Sequence, residues 1–134
     1  MAGALRISEA TSLAFHSMVF IAQNGEKRAT TKKIADVFGV SAHHLAKVHQ
    51  HLVTAGLLSG TRGPNGGFSL KKPPDQISLL HIYEAIEGPF VPRKCLFDQP
   101  LCGRTNCIFG GLIHSVNAQI ADYFKKTMLA ELIE

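Results

Sequence analysis

Three cysteines stand within 13 residues of one another: Cys95, Cys102 and Cys107, with six and then four residues between them. Thiolates are soft ligands suited to zinc or to iron–sulfur clusters. Structural zinc sites usually draw on close Cys-x-x-Cys pairs and four ligands, and this sequence offers neither. Wide spacing on a loop suits a larger cluster whose irons lie apart. Three cysteines leave one iron with a weaker or exchangeable ligand, as a sensor of iron, oxidants or nitric oxide requires. The same residues also read as three free thiols, inert or redox-active. The fourth ligand stays open between His114, seven residues past Cys107, and His16, placed to reach across a dimer interface. Asp98 is a further donor beside the cysteines.

The elements that must position this chemistry begin upstream, with the stretch Thr30 to Leu70. Thr30 or Thr31 caps a helix whose apolar face is Ile34, Ala35, Val37 and Phe38. Gly39 breaks the pattern and Val40 is buried in the turn. Ser41 caps a second helix on which Leu45, Val48 and Leu52 recur at helical spacing. His43, His44, Lys47, Gln50 and His51 occupy its other side. A recognition helix needs this division, an apolar face to seat it and a donor-rich face for the DNA groove. Gly56 ends the helix. Leu57–Ser59 and Phe68–Leu70 read as short strands around Arg62-Gly63-Pro64-Asn65-Gly66-Gly67, a tight hairpin tip. Arg62 and the backbone amides there suit phosphates or the minor groove.

Charge follows the same partition. Residues 1–72 hold 9 Lys/Arg against 3 Asp/Glu, whereas residues 73–134 hold 5 against 7. The net charge of +4 therefore originates in the half that carries the helix-turn-helix, as a phosphate backbone favours. A hydrophobic fraction of 46% excludes a disordered chain. The apolar run Leu13–Ala22 is broken by His16 and Ser17 and lacks a cleavage site, so no signal peptide is read. No stretch reaches the length of a membrane span. A cytoplasmic location is expected, where structural disulfides are rare.

Residues 7–24 form an expected helix that is apolar nearly all round and hence buried, against the helix-turn-helix or a partner subunit. Lys71-Lys72-Pro73-Pro74 ends the wing, because proline cannot continue the strand. Ser78 caps a helix from Leu79 to Glu87, which Gly88-Pro89 stops. From Phe90 to Asn106 no periodicity holds, and the segment 89–107 is taken as the cysteine-bearing loop. Beyond it Leu112, Ile113, Val116, Ile120, Phe124 and Met128 recur every three or four positions, leaving Asn117, Gln119, Asp122 and Lys125 outside. A long amphipathic helix from about Ile108 to Leu129 is expected, serving a two-fold dimer.

Taken together, these residues resemble the Rrf-two family of bacterial winged-helix regulators, which includes the IscR, NsrR and RirA types. The likeness rests on Leu5-Arg6-Ile7-Ser8, Ile34-Ala35 through Gly39-Val40-Ser41, and Ala55-Gly56-Leu57 with the Arg62–Gly67 wing. Ala85-Ile86-Glu87-Gly88 ahead of three cysteines and Thr127-Met128-Leu129-Ala130-Glu131-Leu132 complete it. The resemblance implies a homodimeric DNA-binding transcription factor, repressor or activator, whose cluster state tunes affinity for a double-stranded operator. It makes Cys95, Cys102 and Cys107 the ligands of a 2Fe–2S or 4Fe–4S cluster. Ser41 begins the major-groove reader, and Arg62, Asn65 and Gly66 lie in the minor-groove wing. The middle cysteine is shifted by one from the family's more even spacing. Ser12 stands where some members carry an acidic ligand, and His16, one turn later, matches a first-helix position that ligates in a two-iron member.

The expected architecture is mainly α with a small β wing. It comprises a winged helix-turn-helix domain at 1–88, the cluster loop at 89–107, and a dimerisation helix with its tail at 108–134. The expected DNA contacts are Thr31, Lys32, Ser41, His43, His44, Lys47, Arg62, Asn65 and Gly66, with Lys33 as a further phosphate contact. The alternative is a cluster-free winged-helix regulator with a thiol-based or small-molecule switch. An enzyme is disfavoured, because no Asp/Asn orienter or oxyanion loop accompanies the cysteines and histidines. A zinc-stabilised interaction module ranks equally low.

Overall fold

The structure, a computed structural model, describes residues 7–25, 27–64, 66–95 and 101–134. Its first helix, α1 (Glu9–Gln23), opens on Ser8, whose hydroxyl accepts from the Thr11 amide. The Ser8 and Thr11 hydroxyls then donate to Glu87 Oε1 at 2.5 and 2.7 Å, tying the start of α1 to the far end of a later helix. Helix α2 (Thr31–Phe38) is capped by Thr30 and ends at Gly39, and α3 (Ala42–Thr54) is capped by Ser41. Each cap hydroxyl satisfies one of the helix's orphan amides. Past Gly56, in the left-handed region at φ +80°, strands β1 (Leu58–Thr61) and β2 (Gly67–Leu70) pair antiparallel, Leu58 opposite Leu70 and Thr61 opposite Gly67.

Ala29 adds one isolated rung on β2, exchanging both backbone hydrogen bonds with Phe68 at 2.8 and 3.2 Å. The rung explains Gly67. Its φ is +133°, and a Cβ there would lie 2.8 Å from the Ala29 backbone, so no other residue fits this approach. The wing is thereby fastened to the segment that leads into α2. Pro74–Gln76 forms a short 3-10 turn, and α4 (Leu79–Glu87) is capped by Ser78 in a reciprocal box with His81.

The C-terminal part departs from expectation. Helix α5 spans Leu112–Lys126, four residues later at its start and three shorter at its end than the apolar period implies. Gly110 takes φ +60° and delays the helix. Met128 is not helical. Thr127 and Met128 return as extended backbone, Met128 bridging Ser78, with Leu79 N–H donating to Thr127 O at 3.0 Å and Leu129 N–H to Ile77 O at 2.7 Å. A second 3-10 turn, Leu129–Leu132, follows. Asn117 is buried rather than exposed, because its amide donates back to the Ile113 carbonyl at 2.8 Å and so enters the interior satisfied. Val37, assigned to the apolar face of α2, is 60% exposed. Val40 is half-buried in its turn.

One core serves the described chain. Met18 and Ile21 of α1, Ile34 of α2, Leu45 and Leu52 of α3, Leu58 of β1, Ile82 of α4 and Leu129 are fully buried in it. Burying each such side chain contributes about 2 kcal/mol against leaving it in water. Around Phe124 the rings of Phe15, Tyr83 and Phe90 gather at centroid distances of 5.6 to 6.1 Å, fixing where the chain leaves α4 for the cysteines. Glu84 Oε2 holds the same exit by accepting from the Phe90 amide at 2.9 Å.

Candidate functional site

Helix α3 has the two-sided build of a groove reader. Leu45, Val48 and Leu52 face the core, while His43, His44, Lys47, Gln50 and His51 are all exposed. Ser41 is exposed too, with its hydroxyl engaged by the His44 amide at 3.3 Å. Lys32 and Lys33 stand exposed in the first turn of α2, where the positive end of the helix dipole and the lysine charge together suit an anion. Arg62 is exposed at the tip of the wing, and the half-buried Gly66 closes that tip by donating its amide to Gly63 O at 2.9 Å. Asn65 lies outside the described residues.

Thr31 departs from its expected role. Its hydroxyl lies 2.8 Å from His49 Nδ1, so the side chain is turned toward the core and leaves mainly its backbone for a phosphate. His49 itself is the residue that sequence reasoning missed. It is fully buried on the underside of α3, with Nε2 3.0 Å from Ser17 Oγ on α1 and its ring edge-on to Phe68 of β2 at 5.0 Å. Burial lowers its pKa from 6.5 to about 4, so the ring is neutral near pH 7. The signal was present in the sequence. Position 49 falls on the same helical face as positions 45, 48 and 52.

The thiols are arranged differently. Cys102 and Cys107 are exposed, Cys95 is half-buried, and no disulfide joins them. The Phe109 amide donates to Cys107 Sγ at 3.4 Å, which turns this thiol toward the start of α5. His16 is exposed on α1 with Nδ1–H donating to the Ser12 carbonyl at 2.7 Å, a bond that fixes the tautomer and leaves Nε2 as a lone-pair donor. It stands at the edge of an apolar groove of about 470 Å³ between α1, α2 and α5, walled by Phe15, Phe20, Phe38, Tyr123 and Phe124. His114 is exposed on α5, and Asp98 lies outside the described residues. Among the described residues, no three His, Cys, Asp or Glu side chains are gathered as metal ligands. Three thiols are donors of the soft kind an iron–sulfur cluster takes, and among the described residues they are not gathered with a fourth ligand.

The model of the Rrf2 family, described as iron-dependent transcriptional regulators, matches residues 7–134. The chain belongs to the Rrf2 family. It is similar to the transcriptional regulator NsrR of Oceanobacillus iheyensis, 30% identical over 90% of this chain and 82% of that protein. Among solved structures, CymR, the global cysteine regulator of B. subtilis, superposes with a TM-score of 0.79 at 29% identity over 96% of this chain and 95% of that one. IscR of T. potens does so at 0.73 and 26% identity, over 96% and 85%. The Rrf2 fold here is the winged helix expected from the sequence, with a two-stranded wing behind the helix-turn-helix. As an Rrf2 protein the chain is a DNA-binding transcriptional regulator and not an enzyme. Among the described residues no helix is long and apolar enough to cross a membrane.

Proposed function

We propose that this Rrf2 regulator acts in the cytoplasm as a homodimer, binds a near-palindromic operator, and reads it with affinity set by an iron–sulfur cluster on Cys95, Cys102 and Cys107. The observation that carries the reading is the placement of two exposed thiols, Cys102 and Cys107, on the segment that runs directly into α5. The proposed division is a DNA-binding unit at 1–88, a cluster loop at 89–107 and a dimerisation helix with its tail at 108–134. The helix that Ser41 opens enters the major groove with His43 and His44; Lys32, Lys33, Lys47 and Arg62 hold phosphates; and the Arg62–Gly67 wing, including Asn65 and Gly66, meets the minor groove. When bound, the cluster supplies a redox- and ligand-sensitive charge. The chain's own part is to hold it by three thiolates and one histidine, His16 or His114. His16 Nε2 is the readier of the two, since its other nitrogen is already committed to Ser12.

Anaerobic purification with an ultraviolet–visible spectrum and iron and sulfide analysis tests the reading. Charge-transfer bands with iron and sulfide in matching amounts, lost in Cys102→Ala, are expected; a colourless protein that resists reconstitution overturns the cluster. The second reading is a thiol switch, favoured by the exposure of Cys102 and Cys107 and by the likeness to the cysteine regulator CymR. In that case thiol alkylation changes DNA affinity in a protein free of iron.

A further inference from the structure

The underside of the recognition helix carries a polar junction that neither DNA contact nor cluster chemistry uses. His49 meets three other elements at once: Thr31 in the first turn of α2 at 2.8 Å, Ser17 in the middle of α1 at 3.0 Å, and the Phe68 ring of β2 at 5.0 Å. Ser17 and His49 are fully buried, and among the described residues no buried side-chain polar atom lacks a partner. The neutral ring that burial enforces donates from one nitrogen and accepts at the other, and a hydroxyl satisfies either role. The junction is therefore complete in both tautomers.

Of the four elements that meet at this junction, α2, α3 and the wing carry the residues proposed to reach DNA. Lys32 follows Thr31 by one residue, Arg62 sits on the hairpin that β2 closes, and His44 and Lys47 lie on the face of α3 opposite His49. Apolar contacts such as those of Leu45 and Leu52 resist separation but tolerate small slides and rotations. Hydrogen bonds of 2.8 and 3.0 Å are directional and resist both. Base reading needs side chains held in register with the phosphate contacts that set the protein's place on the duplex.

We propose that His49 is a positioning residue for sequence discrimination: its bonds to Thr31 and Ser17 fix the pose of α3 relative to α2, α1 and the wing, so that base contacts and phosphate contacts engage together. The inference rests on α3 being the groove reader. It separates two quantities that a general loss of fold would move together, affinity for a preferred sequence and affinity for any duplex.

The test uses the full chain. A preferred duplex is enriched from a random-sequence pool by the wild-type protein, and a scrambled version of it reports non-specific binding. His49→Leu keeps side-chain bulk and removes both bonds, while His49→Asn retains an amide in reach of Thr31. All are compared at a temperature where thermal melts show each fully folded. His49→Leu is expected to lose about tenfold on the preferred duplex, the scale of one to two hydrogen bonds, and less than about twofold on the scrambled one. His49→Asn is expected to recover part of that loss. An unchanged ratio in His49→Leu, or an equal fall on both duplexes, overturns the proposal. So does an asparagine variant no better than leucine, since lost packing would then account for the effect. A wild-type protein that enriches no duplex overturns the DNA-reading role of α3 and this inference with it.

Discussion

In the reading head, Ile34, Leu45, Leu52 and Leu58 are completely buried, and His49 ties three elements together beneath the recognition helix. In the cysteine-bearing half, Leu101 is 72% exposed, Ile108 74% and Leu112 56%, and only Ile113, Asn117 and Phe124 of α5 are buried. Both halves carry apolar residues at helical spacing, yet one spends them inside the chain and the other leaves many at its surface. Each half therefore obtains its order from a different source. The head is closed by its own sequence, whereas α5 presents the kind of apolar surface that a second copy, seated on the two-fold proposed above, would cover.

Paired truncations, one in each half, put this contrast to the test. Leu52→Ala removes a fully buried side chain from α3 and is expected to cost about 3 kcal/mol in denaturant unfolding, since the surrounding helices cannot collapse into the space. Leu112→Ala removes the same group from the exposed start of α5 and is expected to cost less than about 0.5 kcal/mol in dilute protein. The dimer reading adds that this second deficit grows with protein concentration as the wild type associates. Equal losses for the two variants at all concentrations would erase the distinction between the halves.

A pH titration probes the head alone. His49 has a folded pKa of about 4 against an ordinary 6.5, so the unfolded chain binds its proton more readily. Its neutral form supports the fold fully above pH 6.5, and that support falls as pH drops from 6.5 toward 4, by about 3 kcal/mol in all. Chemical denaturation across this window should show the wild type losing stability more steeply than His49→Leu. Parallel curves would mean that the ring is hydrated and already charged in the fold. The exposed His43, His44 and His51 remain in both proteins and cancel from the comparison.

The same contrast governs what could be read in advance. Thr30, Ser41 and Ser78 cap their helices as their positions implied, because capping depends on a few adjacent residues. The wing was legible from Gly, Pro and Asn for the same local reason. Pairing of Thr127–Leu129 with Ile77–Leu79 joins residues fifty positions apart, and no local pattern announces it. Met128 kept the helical period of Phe124 while lying outside the helix. His49 was hidden by its own chemistry, a polar side chain on the apolar stripe of a helix whose other histidines are solvated. Its partners Ser17 and Thr31 are equally ordinary in sequence, and only the fold brings them together.

The smallest expected effect concerns the outer face of α3. Lys47 is exposed, opposite the buried stripe, and its removal leaves no cavity and no unpaired group in the core. Lys47→Ala should therefore leave the unfolding midpoint within about 0.5 kcal/mol of wild type. If Lys47 meets a phosphate, its loss weakens preferred and scrambled duplexes alike by about 1 kcal/mol, and the dependence of log affinity on log salt flattens by about one unit. If it meets a base edge, the preferred duplex suffers more and the salt slope hardly moves. Cluster absorbance should be unchanged in either case, since the residue lies in the half of the molecule that holds no cysteine. Unaltered affinity for both duplexes would take Lys47 out of the interface and shift the reading of the groove to His43 and His44.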